Sequence, residues 1–278
     1  MCIVCSYDKV YILNDFGNYS TLRCTNCGAV FTDKVIDSKT YSQTEGFQTG
    51  HVPFHKRHFD YIPGNITARF YYNYLKEHID LTKIKSVLDI GAGRGYFIKL
   101  FEDKGIKTRG IEPRFDEVAF SVSKNLQYGF FDENYSVNEK FDIVCLAGVL
   151  LFFRDNYRIL RKVVSMLNPG GYIFIMNPNA DSERVVNHFG KRGTPYNTAC
   201  ILTRKGWIEM VEKIGCGLVD YSFYEPNILF DMYYRRRIFK LIKYLLFPSS
   251  GYQRAGEDGY NIMLLLSKKT VSPEKAIL

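Results

Sequence analysis

Twelve consecutive residues constrain this chain more than any others: Ser86-Val87-Leu88-Asp89-Ile90-Gly91-Ala92-Gly93-Arg94-Gly95-Tyr96-Phe97. Val87, Leu88 and Ile90 make the short apolar, partly β-branched run that a buried strand requires. Asp89 stands near its end. Three glycines follow at every second position, and then Tyr96, Phe97, Ile98, Leu100 and Phe101 recur at helical spacing. The stretch reads as strand, glycine-rich turn, helix, so the chain belongs to the α/β class. With no Cβ in the way, the turn offers bare backbone N–H groups to whatever binds at the carboxyl edge of the strand.

Two kinds of cofactor use such a turn. A dinucleotide fingerprint, G-x-G-x-x-G, sets a pyrophosphate on the helix N-terminus. Here the sixth position is Tyr96, and the pattern is G-x-G-x-G with Asp89 two residues ahead of it. The segment resembles motif I of the class I S-adenosylmethionine (SAM) methyltransferases. The resemblance implies a Rossmann-like sheet of seven strands, with Asp89, Gly91, Ala92, Gly93 and Gly95 around the cofactor. SAM carries no phosphate but does carry an ammonium group, which suits a carboxylate such as Asp89.

Later segments fall where that family needs them. Strand two is Thr108 to Glu112, and Gly110-Ile111-Glu112-Pro113 resembles motif II. A carboxylate at Glu112 can accept hydrogen bonds from both ribose hydroxyls. Pro113 then opens a helix, where a missing N–H costs nothing. A short strand near Leu126 to Tyr128 leads into Gly129-Phe130-Phe131-Asp132-Glu133. By the resemblance, Phe131 covers the adenine and Asp132 takes its exocyclic amine. Phe141 to Leu146 is strand four, and the backbone at Ala147 closes over the methionine end. Many small-molecule members carry a Glu-His pair after that strand. Here the stretch is Val149-Leu150-Leu151-Phe152-Phe153, without acid or imidazole, which makes the mouth of the site more apolar. A helix from Asn156 to Leu167, the Asn168-Pro169-Gly170-Gly171 turn and strand five, Tyr172 to Met176, complete the pattern. Asn177-Pro178-Asn179 follows strand five rather than strand four, so it is not the signature of base N-methyltransferases. Strand six is expected at Leu218 to Phe223 and strand seven at Asn261 to Leu266.

Ahead of this core lie Cys2-x-x-Cys5 and Cys24-x-x-Cys27, separated by 18 residues. That spacing fits a four-cysteine zinc site, in which each C-x-x-C turn presents two thiolates to one tetrahedral ion. Val10 to Leu13 and Tyr19 to Arg23 would form the hairpin between them, and Gly28 lets the backbone turn. Four thiolates leave no open position, so the Zn2+ would be structural. Cys145, Cys200 and Cys216 read as buried small hydrophobes.

The expected organisation is a zinc-ribbon-like module over 1–36, a linker and N-terminal helix over 37–80, a methyltransferase domain over 81–267 and a tail over 268–278. The helix begins at Ile66 and covers one side of the cofactor site. His51, His55 and His58 cluster just before it; a solvent-exposed or substrate-facing loop outranks a metal site there, because Pro53 and the absent apolar period argue against a helix. Residues 180–202 read as a polar loop or lid containing Asp181, Glu183, His188 and Tyr196. His188 is the one imidazole of the core domain placed to act as a base, though an ordinary surface histidine is the simpler account. Thr203 caps a helix that ends at Gly215. An insertion over 228–258 contains Tyr233 to Phe247, whose apolar and basic residues separate to two helical faces. That helix either packs on its own domain or lies on an anionic membrane surface.

The chain has 278 residues and a net charge of +8, which favours acidic partners without choosing among them. No signal peptide and no run of 18 apolar residues is visible, so a cytoplasmic protein is expected, at the inner membrane surface only if the 233–247 helix lies on it instead of packing on its own domain. The resulting expectation is methyl transfer from SAM to a hydroxyl of a glycan, sugar or other small-molecule acceptor. An RNA-modifying enzyme that grips phosphates with its basic surface, and a non-catalytic SAM-binding module, are the alternatives.

Overall fold

The computed structural model describes residues 1–34, 61–191, 199–226 and 252–269. The His51, His55 and His58 cluster, Tyr196, the Tyr233 to Phe247 stretch and the last residues of the tail lie outside them. Among the described residues no helix is long and apolar enough to cross a membrane.

Three strands come first: β1 (Val10–Asp15), β2 (Ser20–Cys24) and β3 (Val30–Thr32). Helix α1 (Tyr61–His78) follows. The core then runs β4 (Ser86–Ile90), α2 (Tyr96–Glu102), β5 (Lys107–Glu112), α3 (Phe115–Ala119), β6 (Leu126–Tyr128), β7 (Phe141–Ala147), α4 (Asn156–Ser165) and β8 (Leu167–Pro178). Next come the single turn α5 (Glu183–Val185), running into a π-helical stretch over Val186–Gly190, and then β9 (Cys200–Ile201) and α6 (Arg204–Lys213). Strands β10 (Cys216–Pro226), β11 (Tyr252–Ala255) and β12 (Asn261–Lys268) close the described chain.

The central sheet has the order β11-β10-β12-β8-β7-β4-β5-β6. Strands β6, β5, β4, β7 and β8 run parallel, and β12 is antiparallel to both its neighbours. The seven expected strands are present. An eighth, β11, pairs antiparallel with β10 through Phe223 to Pro226, so the end of the expected 228–258 insertion is sheet.

Alternation along the strands divides the core between the two faces of the sheet. Leu88, Ile90, Val144 and Leu146 face one cluster, with Leu160 from α4 and Trp207 from α6. Val87, Ile143, Cys145 and Phe174 face the other, with Tyr71 and Leu75 from α1 and Phe101 from α2. Helix α1 begins at Tyr61, earlier than Ile66, because Pro63 falls in its first turn, where no intrahelical N–H bond is lost. Asp142, at the start of β7, ties neighbouring elements together. Its Oδ2 accepts the N–H groups of Lys85 (2.8 Å) and Ser86 (3.0 Å), and its Oδ1 accepts from Asn168 Nδ2 (2.6 Å). The Asn168 to Gly171 segment is a bulge inside β8 rather than a free turn. The register jumps from Phe141–Leu167 to Ile143–Tyr172 across it.

The N-terminal strands form a second sheet in the order β1-β2-β3-β9. Its fourth strand comes from the 180–202 segment, which is therefore not simply a loop. Val30 pairs with Ile201 and Phe31 with Cys200.

Candidate cofactor site and cysteine cluster

The parallel strand order reverses on either side of β4, with β5 and β6 on one side and β7 on the other. In open α/β sheets ligands bind at the carboxyl ends of the strands at such a point. A cavity of about 300 Å³ lies there. Asp89, Gly91, Ala92 and Gly93 form one side with Cys145 and Ala147 of β7. Helix α1 forms the facing wall through Gly64, Thr67, Ala68 and Tyr71. Arg94, Tyr96, Phe97 and Glu117 complete the lining.

Gly91 adopts φ +72°, and a Cβ there would stand 2.4 Å from Cγ2 of Val149, so the position takes no other residue without strain. Gly93 adopts φ +53°, and the place its Cβ would take has no atom within 4 Å. The turn thus leaves an open cradle on the cavity side. The N–H groups of Gly91 (2.8 Å) and Ala92 (3.1 Å) donate to the carbonyl of Ile111, which fastens the turn to β5. Gly95 caps α2 in the left-handed conformation.

Glu112 is buried at the end of β5. Its Oε2 accepts the Gly93 N–H (2.9 Å) and its Oε1 accepts the Arg114 N–H (3.0 Å). A carboxylate has about four lone-pair sites, so each oxygen keeps acceptor capacity for a further donor. Burial pushes Glu112 up to about 7 despite those two N–H groups, and nearby Glu117 adds to the rise. Asp89 faces Cys145 across the β4–β7 register. Burial pushes it to about 7 as well; the Cys145 thiol opposes the shift and the charge of Glu112 reinforces it. Asp89 lines the cavity, whereas Glu112 lies behind the turn, bonded to the Gly93 N–H, and is not part of the lining.

Arg94 and Glu117 were not evident from sequence. Arg94 Nε donates to Glu117 Oε2 at 2.9 Å, and the guanidinium lies 5.7 Å from the centroid of Phe120. The wall residues of α1 were missed too. Helical spacing placed Tyr71 on an apolar face, but nothing in the sequence says which part of that face meets the glycine turn.

Other expected site residues are not part of the cavity lining. Phe131 is 3% exposed and packs into the core against Tyr135, with ring centroids 5.3 Å apart, so its ring has no open face for an adenine. Asp132 stays half-exposed, and its Oδ1 accepts the Asn134 N–H at 2.8 Å. His188 is exposed, edge-on to Phe189, and does not line the cavity. Buried Val185 and Val186 anchor the π-helical stretch and leave His188 on its outer side. Leu150 and Leu151 are buried rather than at the mouth of the site.

The four N-terminal cysteines converge. Their sulfur atoms all lie within 4.8 Å of one another, with Cys2–Cys27 and Cys5–Cys24 each at 3.6 Å. Four thiolates at about 2.3 Å from a tetrahedral ion would stand about 3.8 Å apart, so the set fits a small zinc module. The backbone N–H groups of Val4 and Asn26 point at Cys2 and Cys24 sulfur, both at 3.4 Å, as thiolate acceptors require. The Cys27 contact lowers the Cys2 thiol below its ordinary value and raises that of Cys27.

A family model described as a methyltransferase domain matches residues 69–221, more than half of the chain. The chain belongs to this methyltransferase family. Its α/β sheet has the fold of solved SAM-dependent methyltransferases. Among curated relatives, a tRNA U34 carboxymethyltransferase of Campylobacter curvus is 26% identical over 159 residues, 50% of this chain and 51% of the relative. A thiol S-methyltransferase of Rattus norvegicus is 24% identical over 203 residues, 63% of this chain and 81% of the relative. The chain spans about half the length of the tRNA-modifying relatives it matches. A solved SAM-dependent methyltransferase from Thermotoga maritima shares the fold, with a TM-score of 0.52, 15% identity and coverage of 78% of this chain and 96% of that one.

Proposed function

We propose that the enzyme transfers a methyl group from SAM to a hydroxyl of a glycan, sugar or other small-molecule acceptor. The carrying observation is the walled cavity of about 300 Å³ at the ends of β4 and β7. Lined by the glycine turn and Asp89 and flanked by α1, it suits a small-molecule cofactor, which supports SAM-dependent transfer; the acceptor class rests on the resemblance of the motifs.

In this reading Glu112 holds the ribose hydroxyls and Asp89 faces the ammonium group. Gly91, Ala92, Gly93 and Gly95 let the cofactor approach the backbone, and Ala147 lies beside its methionine end. Asp132 borders the adenine, without Phe131. When bound, SAM supplies an activated methyl and a neutral leaving group. The chain's task is then to orient the acceptor and exclude water. Among the described residues that line the cavity there is no imidazole, and positioning carries the reaction. Cys2, Cys5, Cys24 and Cys27 hold one structural zinc in the 1–36 module, and 81–267 is the methyltransferase domain.

A second reading, RNA modification, is supported by the tRNA-modifying relatives and the +8 charge. Incubating the purified enzyme with methyl-labelled SAM and separate pools of sugars, glycan precursors and total tRNA decides between them. Label in the small-molecule pools is expected. Label confined to RNA, with binding that weakens steeply as salt rises, would replace the first reading with the second.

A further inference from the structure

The cysteine cluster lies outside the cavity, yet an unbroken series of contacts joins the two. Strand β3 pairs with β9 through Val30–Ile201 and Phe31–Cys200. The Thr32 N–H donates to the Ala199 carbonyl (3.2 Å), and the Ala199 N–H donates to the Leu151 carbonyl (2.7 Å). Arg154 Nε donates to the Thr32 carbonyl at 3.2 Å. Leu151 is buried in one apolar cluster with Val30, Val186 and Ile201. Two residues before Leu151, Val149 presses against Gly91 of the cofactor turn.

The cysteines themselves are tied into the same series. The Thr203 hydroxyl donates to the Cys27 carbonyl and accepts the Gly206 N–H, capping α6 two residues after β9. A Cβ on Gly28 would stand 2.7 Å from Thr203 Cγ2, so the second C-x-x-C turn lies directly on that cap.

We infer that the cysteine module is a positioning element for the cofactor turn: through β3, β9 and Leu151 it holds Val149 against Gly91. Val149 to Phe153 is the stretch where many small-molecule members carry acid and imidazole. In this chain its buried leucine serves as the attachment point for the module instead. The module's own core is small, and Val4, Ala29 and Phe31 lie in the apolar cluster of the central sheet, so the metal fixes how its strands seat on that core. Metal loss then frees β3, β9 and Leu151 in turn, and the turn behind Gly91 loosens. The metal step of this series rests on the zinc reading above; the contacts from β3 to Gly91 do not.

The test measures SAM affinity by calorimetry on the full chain, with bound metal counted by elemental analysis. Removing zinc with a chelator is expected to weaken SAM binding at least fivefold, and added Zn2+ to restore it. Ala199→Pro deletes the N–H that reaches Leu151 and leaves all four cysteines intact; it is expected to weaken SAM binding at least threefold with one zinc still bound. Val149→Ala severs the last contact, so chelation of that variant should add little further loss, which a general destabilisation would not explain. Should the chelated chain unfold, Ala199→Pro carries the decision. Protein that purifies without metal removes the zinc reading alone. Unchanged SAM affinity in folded Ala199→Pro overturns the positioning role.

Discussion

Glu112→Ala tests the cofactor assignment most directly. The carboxylate already accepts one N–H on each oxygen, at 2.9 Å from Gly93 and 3.0 Å from Arg114. The remaining acceptor capacity matches two vicinal hydroxyls. A hydrogen bond to a charged group contributes about 1.5 kcal/mol or more, so two contribute about 3 kcal/mol. That is about a hundredfold in affinity. pH supplies an independent signature. Burial raises Glu112 to about 7 in the free enzyme. A ligand that needs the ionised form therefore binds about tenfold more weakly at pH 6 than at pH 8 through this group alone. The sign for stability is the reverse. A carboxyl whose folded value is raised stabilises the fold below its unfolded pKa, and that contribution is lost as pH rises through 7. Bound SAM should offset the loss, so the melting-temperature increment at saturating SAM should grow from pH 6 to 8. Calorimetric titration at both pH values, with circular dichroism to confirm folding, measures all of this. Glu112→Ala should lose at least tenfold in affinity at pH 8, and its pH slope should flatten. A folded variant that binds SAM within threefold of the parent at pH 8 would refute the ribose role.

Two further perturbations follow from the packing. Gly91→Ala sets a Cβ 2.4 Å from Val149 in a left-handed backbone, and should cost at least about 2 kcal/mol, seen as a drop in melting temperature of about 4 °C or more. Val149→Ala in the same chain should recover the clash but not the backbone strain; full recovery would mean that the φ of Gly91 does not matter. Asp220→Ala removes the Oδ2 that accepts from Tyr74 (2.7 Å) and Ser222 (2.9 Å) and stands 3.4 Å from His78 Nε2. With the Tyr74 hydroxyl left without its acceptor, the fold should lose about 1–3 kcal/mol. Because α1 lines the cavity, the KM for SAM should also rise; an unchanged KM would show that the carboxyl end of α1 does not govern its cavity face.

The cofactor turn was legible because its chemistry is local. Strand, glycines and helix lie within twelve residues, and the carboxylate of Glu112 needs only to end the neighbouring strand. The two C-x-x-C pairs were legible for the same reason, since each pair is set by a spacing of three residues and the four sulfur atoms do converge. Loop residues were harder. Phe130 and Phe131 are adjacent and chemically alike, and which one is buried depends on what packs beneath them. His188 looked available because no local pattern tells which side of a short irregular helix meets the core.

What the sequence determined alone is the doubly wound sheet, its glycine cradle and the four-cysteine cluster, all set by short-range spacing of residues with few alternatives. What only the tertiary structure decided is how distant segments meet. Gly64, Thr67, Ala68 and Tyr71 are the part of α1 that meets the cavity, β9 completes the N-terminal sheet, and Leu151 joins that sheet to the segment behind Gly91. Those contacts depend on shape and burial between residues far apart in the chain, and no spacing rule encodes them.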